Sequence, residues 1–257
     1  MRFRIPPKKR RLIMNQNLES KINFNNIWVI FKREMKTFFD SPMAYIVLVT
    51  FLMITGWFFS STIFLINQAT IDGYLDILPL VFIFFVPAIT MRLFSEEYKS
   101  GTIEIIATMP VTDNEIIMGK YLAGFGIMAI SILLTLFYPI CLLFVSKPHI
   151  GTIIGSYLGL LFIAMFYISI GVFASSITKN QIIAFLISFI ICFFFFIAGK
   201  IIGILPGFLV SVLEYIGIDS HFNNITKGLI NSRDIIYYFS ASAFFYILTL
   251  RMINIRK

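Results

Sequence analysis

Few side chains in this sequence could do covalent chemistry, and none is spaced for it. The chain holds two histidines, His149 and His221, and two cysteines, Cys141 and Cys192. Neither histidine belongs to a His-Glu-x-x-His pair that would hold zinc beside a general base, and no Gly-x-Ser-x-Gly turn presents a nucleophilic serine. The cysteines lack metal-ligand spacing and fall in apolar stretches, where they read as packing residues. No Gly-x-x-x-x-Gly-Lys-Ser/Thr loop occurs: Gly119-Lys120 is followed by Tyr121 and lacks the upstream glycine. Such a loop cradles phosphates with its backbone amides, so this chain is not expected to be an ATPase or to bind a cofactor or metal directly.

The elements that carry these residues are apolar. Six long stretches, separated by short polar breaks, run from Met43–Ile66, Leu75–Phe94, Tyr121–Val145, Thr152–Ala174, Ile182–Leu205 and Ile235–Leu250, the last being the shortest. A hydrocarbon core about 30 Å thick needs roughly 20 apolar residues of helix to cross it. Mean hydropathy is +0.89 and 13% of residues are charged, about half the share in a soluble domain. An all-α integral membrane protein with six spans is expected. No ionisable residue falls in the middle of a span, which argues against a proton- or ion-coupled carrier. Gly155-x-x-x-Gly159, with Ser156, Ser169 and Gly171, suits close helix approach and is a weak motif for a contact between helices of two copies.

With six spans both termini share a side. Residues 1–42 carry ten Lys or Arg, and Arg92, Lys99, Lys120, Lys179, Arg251, Arg256 and Lys257 bring that side to seventeen. The other side has four: Lys147, Lys200, Lys227 and Arg233. The positive-inside rule puts both termini in the cytoplasm. The net charge of +8 then reports topology and anionic lipid headgroups, and no nucleic-acid partner is expected. Residues 1–23 read as a disordered basic tail without the apolar region of a signal peptide, and Met14 is a candidate alternative start. The abundance of Ile, Phe, Asn and Lys fits an AT-rich bacterial genome, hence a bacterial cytoplasmic (inner) membrane; on that reading the Asn224-Ile225-Thr226 sequon carries no glycan.

Phe24 to Asp40 is amphipathic. Phe24, Ile27, Trp28, Phe31, Met35 and Phe38 recur on one helical face while Lys32, Arg33 and Lys36 point elsewhere, as in a helix lying at the headgroup boundary. Ser41 can cap the first span, and Pro42 suits its first turn.

The polar connection from Arg92 to Lys120 is the most informative segment. Arg92 and Glu96 are four apart and can pair on one helix face. Gly101 can end the second helix in the left-handed conformation. Thr102 can cap a short apolar helix carrying Ile103, Ile105, Ile106 and Met109, with Glu104 near its positive end and Pro110 as its stop. Thr112-x-x-Glu115 is a capping box for the third span. Glu97, beside Lys99 and the Gly101 break, is expected to pair with a base on the entry helix, Lys32, Arg33 or Lys36, in a charge network at the membrane edge that includes Arg92 and Glu96. A short apolar helix bracketed by caps either lies on the bilayer or docks in a groove of another protein.

The order Glu97-x-x-x-Gly101-Thr102-Ile103-Glu104-Ile105-Ile106, then Pro110-Val111, Glu115-Ile116 and Gly119-Lys120, resembles the first cytoplasmic connection of ABC-2-type transporter permeases. Lys32-Arg33-Glu34, Ser41-Pro42-x-Ala44-Tyr45, His221-Phe222, Gly228, Arg233-Asp234 and Tyr237 resemble the gliding-motility-associated branch. The resemblance covers about residues 25–250. It implies one transmembrane domain over 24–257: six spans, an interfacial entry helix, a coupling helix (Gly101–Pro110) that docks an ATP-binding subunit, and a short re-entrant or interfacial element between spans five and six. It also implies a second permease subunit, ATP and Mg bound on the partner chain, and movement of a substrate, usually outward. An ATP-independent channel or secondary transporter is the alternative.

Overall fold

The computed structural model describes residues 23–66, 72–103, 110–144, 150–201, 215–228 and 231–256. The described residues are helical throughout, and six helices are long and apolar enough to cross a membrane: Pro42–Thr62, Gly73–Ser100, Asp113–Leu143, Ile150–Ile177, Gln181–Lys200 and Ser232–Ile255.

We number the helices α1 (Phe24–Asp40), α2 (Pro42–Ile66), α3 (Asp72–Thr90), α4 (Arg92–Ser100), α5 (Asp113–Leu134), α6 (Phe137–Leu143), α7 (Ile150–Ile177), α8 (Gln181–Lys200), α9 (Ile218–Thr226) and α10 (Ser232–Ile255). Span two is α3 with α4, and span three is α5 with α6. Spans four and two form the interior, 72% and 67% buried against 22% for spans one and five. Spans one and five therefore form the outer walls.

Three boundaries differ from the sequence expectation. Span three starts eight residues early, at Asp113, because the Thr112 capping box begins the helix before the apolar residues do. Its two oxygens serve in both directions: Thr112 Oγ1 accepts from the Glu115 amide at 3.4 Å, and Glu115 Oε2 accepts from the Thr112 amide at 2.9 Å. Span six is 24 residues long rather than the shortest, since Asp234 is buried within its first turn and the helix continues past Arg251 to Ile255. Span two breaks at Met91 and continues as α4.

Prolines and small residues set local shape. Pro139 has no N–H for the carbonyl of Thr135, and span three turns there. That carbonyl accepts instead from the Tyr138 amide at 3.0 Å and from the Tyr157 hydroxyl of span four at 2.9 Å. Gly155 and Gly159 seat α9 rather than a second copy of α7: a Cβ on Gly155 would lie 2.5 Å from the Ile225 carbonyl oxygen, and one on Gly159 would lie 3.0 Å from the Phe222 ring. A short helix, α9, lies between spans five and six and packs on span four at the end of the bundle opposite α1. Cys141 and Cys192 are free thiols, Cys192 fully buried.

The entry helix packs along span three. Its contacts follow span three in parallel register. The Asn23 amide and Asn26 Nδ2 donate to Glu115 at 2.7 and 3.1 Å; Ile30 lies against Gly119, and Phe31 and Met35 against Gly126. Ile27 and Phe38 are buried, while Phe24 and Trp28 stay exposed although the periodicity puts them on the same apolar face. Lys32 Nζ sits 5.4 Å from the Trp28 ring centroid.

Candidate functional site

The functional expectation centres on the connection after span two, so the site is built from the helix that leads into it. α4 begins at Met91, whose own side chain supplies no cap. The first amides of a helix lack intrahelical partners. Here Ser175, on span four, provides one: its Oγ accepts from the Phe94 and Ser95 amides at 2.9 and 3.1 Å and donates to the Met91 carbonyl at 3.0 Å. The Ser95 hydroxyl bonds the same carbonyl. One turn higher, a Cβ on Gly171 would fall 2.0 Å from Thr90 Oγ1, so the two helices touch through glycine.

Midway along α4 lies a neutral set of four charges. Lys120 is 1% exposed. Its ammonium donates to Glu97 Oε1 at 2.8 Å, Glu34 Oε1 at 3.0 Å and the Leu93 carbonyl at 2.6 Å. Three acceptors use all three of its protons. Arg33 Nη2 closes the set, 2.8 Å from Glu34 Oε1 and 3.2 Å from Glu97 Oε1. Burial works against the Glu34 carboxylate, but Lys120 and Arg33 outweigh it and hold its carboxyl below the usual range. The cluster fastens the entry helix, α4 and span three at one point.

Of the sequence-predicted network, Glu97 and Arg33 meet; Lys32 and Lys36 form no ion pair with Glu97. The proposed pairing of Arg92 with Glu96 does not form. Arg92 turns instead toward the start of span one: its guanidinium lies 3.9 Å from the Phe38 ring centroid and donates to Ser41 Oγ at 3.3 Å. Ser41 also accepts from the Met43 amide at 3.3 Å, the cap expected of it. Stacking on an aromatic face satisfies a half-buried guanidinium while Glu96 stays in solvent.

Gly101 ends α4 in the left-handed region, φ 75°. Thr102 and Ile103 continue helically, with Thr102 Oγ1 2.9 Å from Ser100 Oγ. Ile103 packs on the core and Pro110 is exposed. Glu104, Ile105, Ile106 and Met109 lie outside the described residues. At the return, the last span leans on the same end of the bundle: Arg256 stacks 4.8 Å from the Tyr98 ring, and the Tyr246 hydroxyl donates to Asn114 Oδ1 at 3.1 Å.

Three participants escaped the sequence reading. Lys120 counted only as one of the basic residues on the cytoplasmic side, just before the apolar run, and nothing in its spacing pointed to Glu34 or Glu97. Glu34 is one position from Arg33 and offered no helical partner. Ser175 looked like any small polar residue in an apolar stretch.

Two features lie away from this stalk. At the opposite end, buried His221 stands between Asp234, 2.6 Å from Nδ1, and the Tyr215 carbonyl, 3.1 Å from Nε2, and stacks on Tyr237. Between spans one and two, an apolar groove of about 530 Å³ runs from Ile46 past Thr50 and Ile54 to Phe58, walled by Leu80 and Phe84. The Phe84 ring packs 5.0 Å from Phe189 of span five. Among the described residues no cluster of His, Cys, Asp or Glu is arranged to hold a metal.

A search of the curated proteins finds no match. Residues 58–253 match the family described as ABC-2 family transporter protein. That range takes in the end of span one, spans two to five entire, nearly all of span six, the stalk helix α4 and the connection beyond it. The chain therefore belongs to the ABC-2 transporter family and is a multi-pass membrane permease.

Proposed function

We propose that this chain is the membrane subunit of an ABC exporter, in which a separate ATP-binding subunit docks on the segment Gly101–Pro110 and drives two permease subunits between inward- and outward-open arrangements. ATP and Mg bind on that partner. Both termini face the cytoplasm of a bacterial inner membrane, and the flanking motifs support kinship with the gliding-motility-associated branch. The observation that carries this reading is the four-charge cluster at Glu97. It joins α4 to the entry helix and span three one turn before the Gly101 break, so a push on the connection reaches three helices together. A flexible surface loop would have no use for a buried lysine with every proton engaged.

The groove between spans one and two, with Phe84 against span five, marks the wall along which an amphipathic or lipid-like substrate passes at the interface of two permease subunits.

Co-expression with an ATP-binding chain from the same gene neighbourhood tests the reading. The wild type is expected to retain that chain through purification, and Ile105→Asp or Ile106→Asp to lose it while staying folded in the membrane, because a carboxylate at an apolar docking surface costs several kcal/mol when it has no partner. Retention by both variants would overturn the docking assignment. Absence of any ATP-binding chain from the wild type would favour the ATP-independent channel.

A further inference from the structure

Span two is two rods in series, and one hydroxyl on another span joins them. We propose that Ser175 is the pin of a hinge at Met91: a positioning residue that fixes the angle at which α4, and with it the connection beyond Gly101, leaves the bundle. The hinge is a property of this chain alone; its use in transport rests on the coupling role proposed above.

The geometry is specific to Ser175. A serine hydroxyl can donate one hydrogen bond and accept two, and all three are spent across the break: on the Met91 carbonyl, the Phe94 amide and the Ser95 amide. The three groups cluster at the start of α4, where the helix is interrupted at Met91 although the Met91 amide still donates to the Pro87 carbonyl at 2.9 Å. The next residue, Ser176, is equally buried but turns its hydroxyl to its own helix, onto the Phe173 carbonyl at 2.7 Å. Ser169 does the same with Phe166. A helix start capped from a different helix moves with that helix, and Gly171 keeps span four close enough for the cap to reach. Farther along α4, Lys120 holds the Leu93 carbonyl and Glu97. The segment is thus tied at its start to span four and at its middle to span three. Losing the Ser175 bonds releases the first tie as a unit, since one group makes all three.

The test uses the full-length chain without Cys141 and Cys192, purified without any ATP-binding subunit and carrying nitroxide labels at Lys99 and Lys179, both exposed. Ser175→Ala is expected to broaden the distance distribution between the labels. Ser176→Ala is expected to leave it unchanged, and Ser175→Thr, which keeps the hydroxyl, to stay close to wild type. Equal distributions in wild type and Ser175→Ala, or equal broadening by Ser176→Ala, would overturn the hinge. Amide exchange in the unmodified chain needs no variant: the Phe94 and Ser95 amides should exchange at least about tenfold more slowly than the Arg92 amide at the same helix start, and equal rates would overturn it too. Adding an ATP-binding chain and Mg-ATP then separates the two claims. A wild-type distance that ignores Mg-ATP counts against the coupling role, while the hinge is decided by the partner-free measurements.

Discussion

His221 and Asp234 face each other at 2.6 Å from two different helices, α9 and the start of span six. The other ring nitrogen faces the Tyr215 carbonyl, so both nitrogens meet oxygen acceptors, and Asn224 Nδ2 reaches Asp234 Oδ2 at 3.5 Å. Among the described residues, removing the ring leaves the buried carboxylate with that one long side-chain contact. His221→Ala is therefore expected to lower stability by about 1.5–3 kcal/mol, the range for hydrogen bonds to a charged group. Thermal unfolding in detergent should show a drop of several degrees; an unchanged midpoint would mean the pair forms no latch.

Lys120 offers a sharper case. Lys120→Met leaves Glu34 and Glu97 to share the half-exposed Arg33 as their cation, and breaking a buried ion pair on one side costs about 3–5 kcal/mol. The triple variant Lys120→Met, Glu34→Gln, Glu97→Gln removes the three less exposed charges, leaves Arg33 in solvent, and is expected to recover much of that loss. Comparing the two melting temperatures decides whether the cluster acts as one unit or as separate surface pairs.

Glu97→Gln alone should keep expression and retention of the ATP-binding chain but reduce substrate-stimulated ATP turnover, with partial recovery on exchanging Glu97 and Arg33. Normal turnover at every salt concentration would reduce Glu97 to a structural charge.

Acid should act through Glu34. Its carboxyl is held below the usual range in the folded chain by Lys120 and Arg33. A depressed folded value means the unfolded state binds the proton more readily, so this contribution is complete above the ordinary carboxyl value of about 4.3 and is lost as pH falls through the folded one. The melting temperature of the wild type should fall over that acidic window, and Glu34→Gln should fall less. Parallel curves would remove Glu34 as the cause.

Gly155 and Gly151 form a matched pair on span four. A methyl group at Gly155 would meet the Ile225 backbone oxygen at 2.5 Å, where no side-chain rotation gives relief, whereas Gly151 has open space. Gly155→Ala is expected to displace α9 and destabilise by about 1–3 kcal/mol, and Gly151→Ala to be neutral or slightly stabilising. A disulfide engineered between α9 and span four would report the displacement directly.

What the sequence makes legible is whatever depends on local spacing. Six apolar runs give six spans because length against a fixed membrane thickness is a one-dimensional test. Thr112 and Glu115 announce their cap, and Gly101 its left-handed turn, through bonds within four residues. The site is different. His221 and Asp234 both stood out as polar residues near the last span, but their separation of thirteen matches no helical repeat. Lys120 and Glu97 meet only because spans two and three lie side by side, and Arg92 prefers Phe38 to the nearer Glu96 because the entry helix folds back to offer a ring. Phe24 and Trp28 share a helical period with Ile27 and Phe38 yet stay exposed, since periodicity defines a face and not the width of what covers it.

The neutrality of the set Arg33, Glu34, Glu97 and Lys120 has a consequence for descent. A lineage that loses one buried member passes through a chain with an odd charge, weakened by an amount comparable with a large part of a typical domain's stability. The three less exposed positions are therefore expected to be inherited as a block: relatives should carry Glu34, Glu97 and Lys120 together or replace them together with apolar residues. Arg33, with 47% of its side chain in solvent, is the member left free to drift.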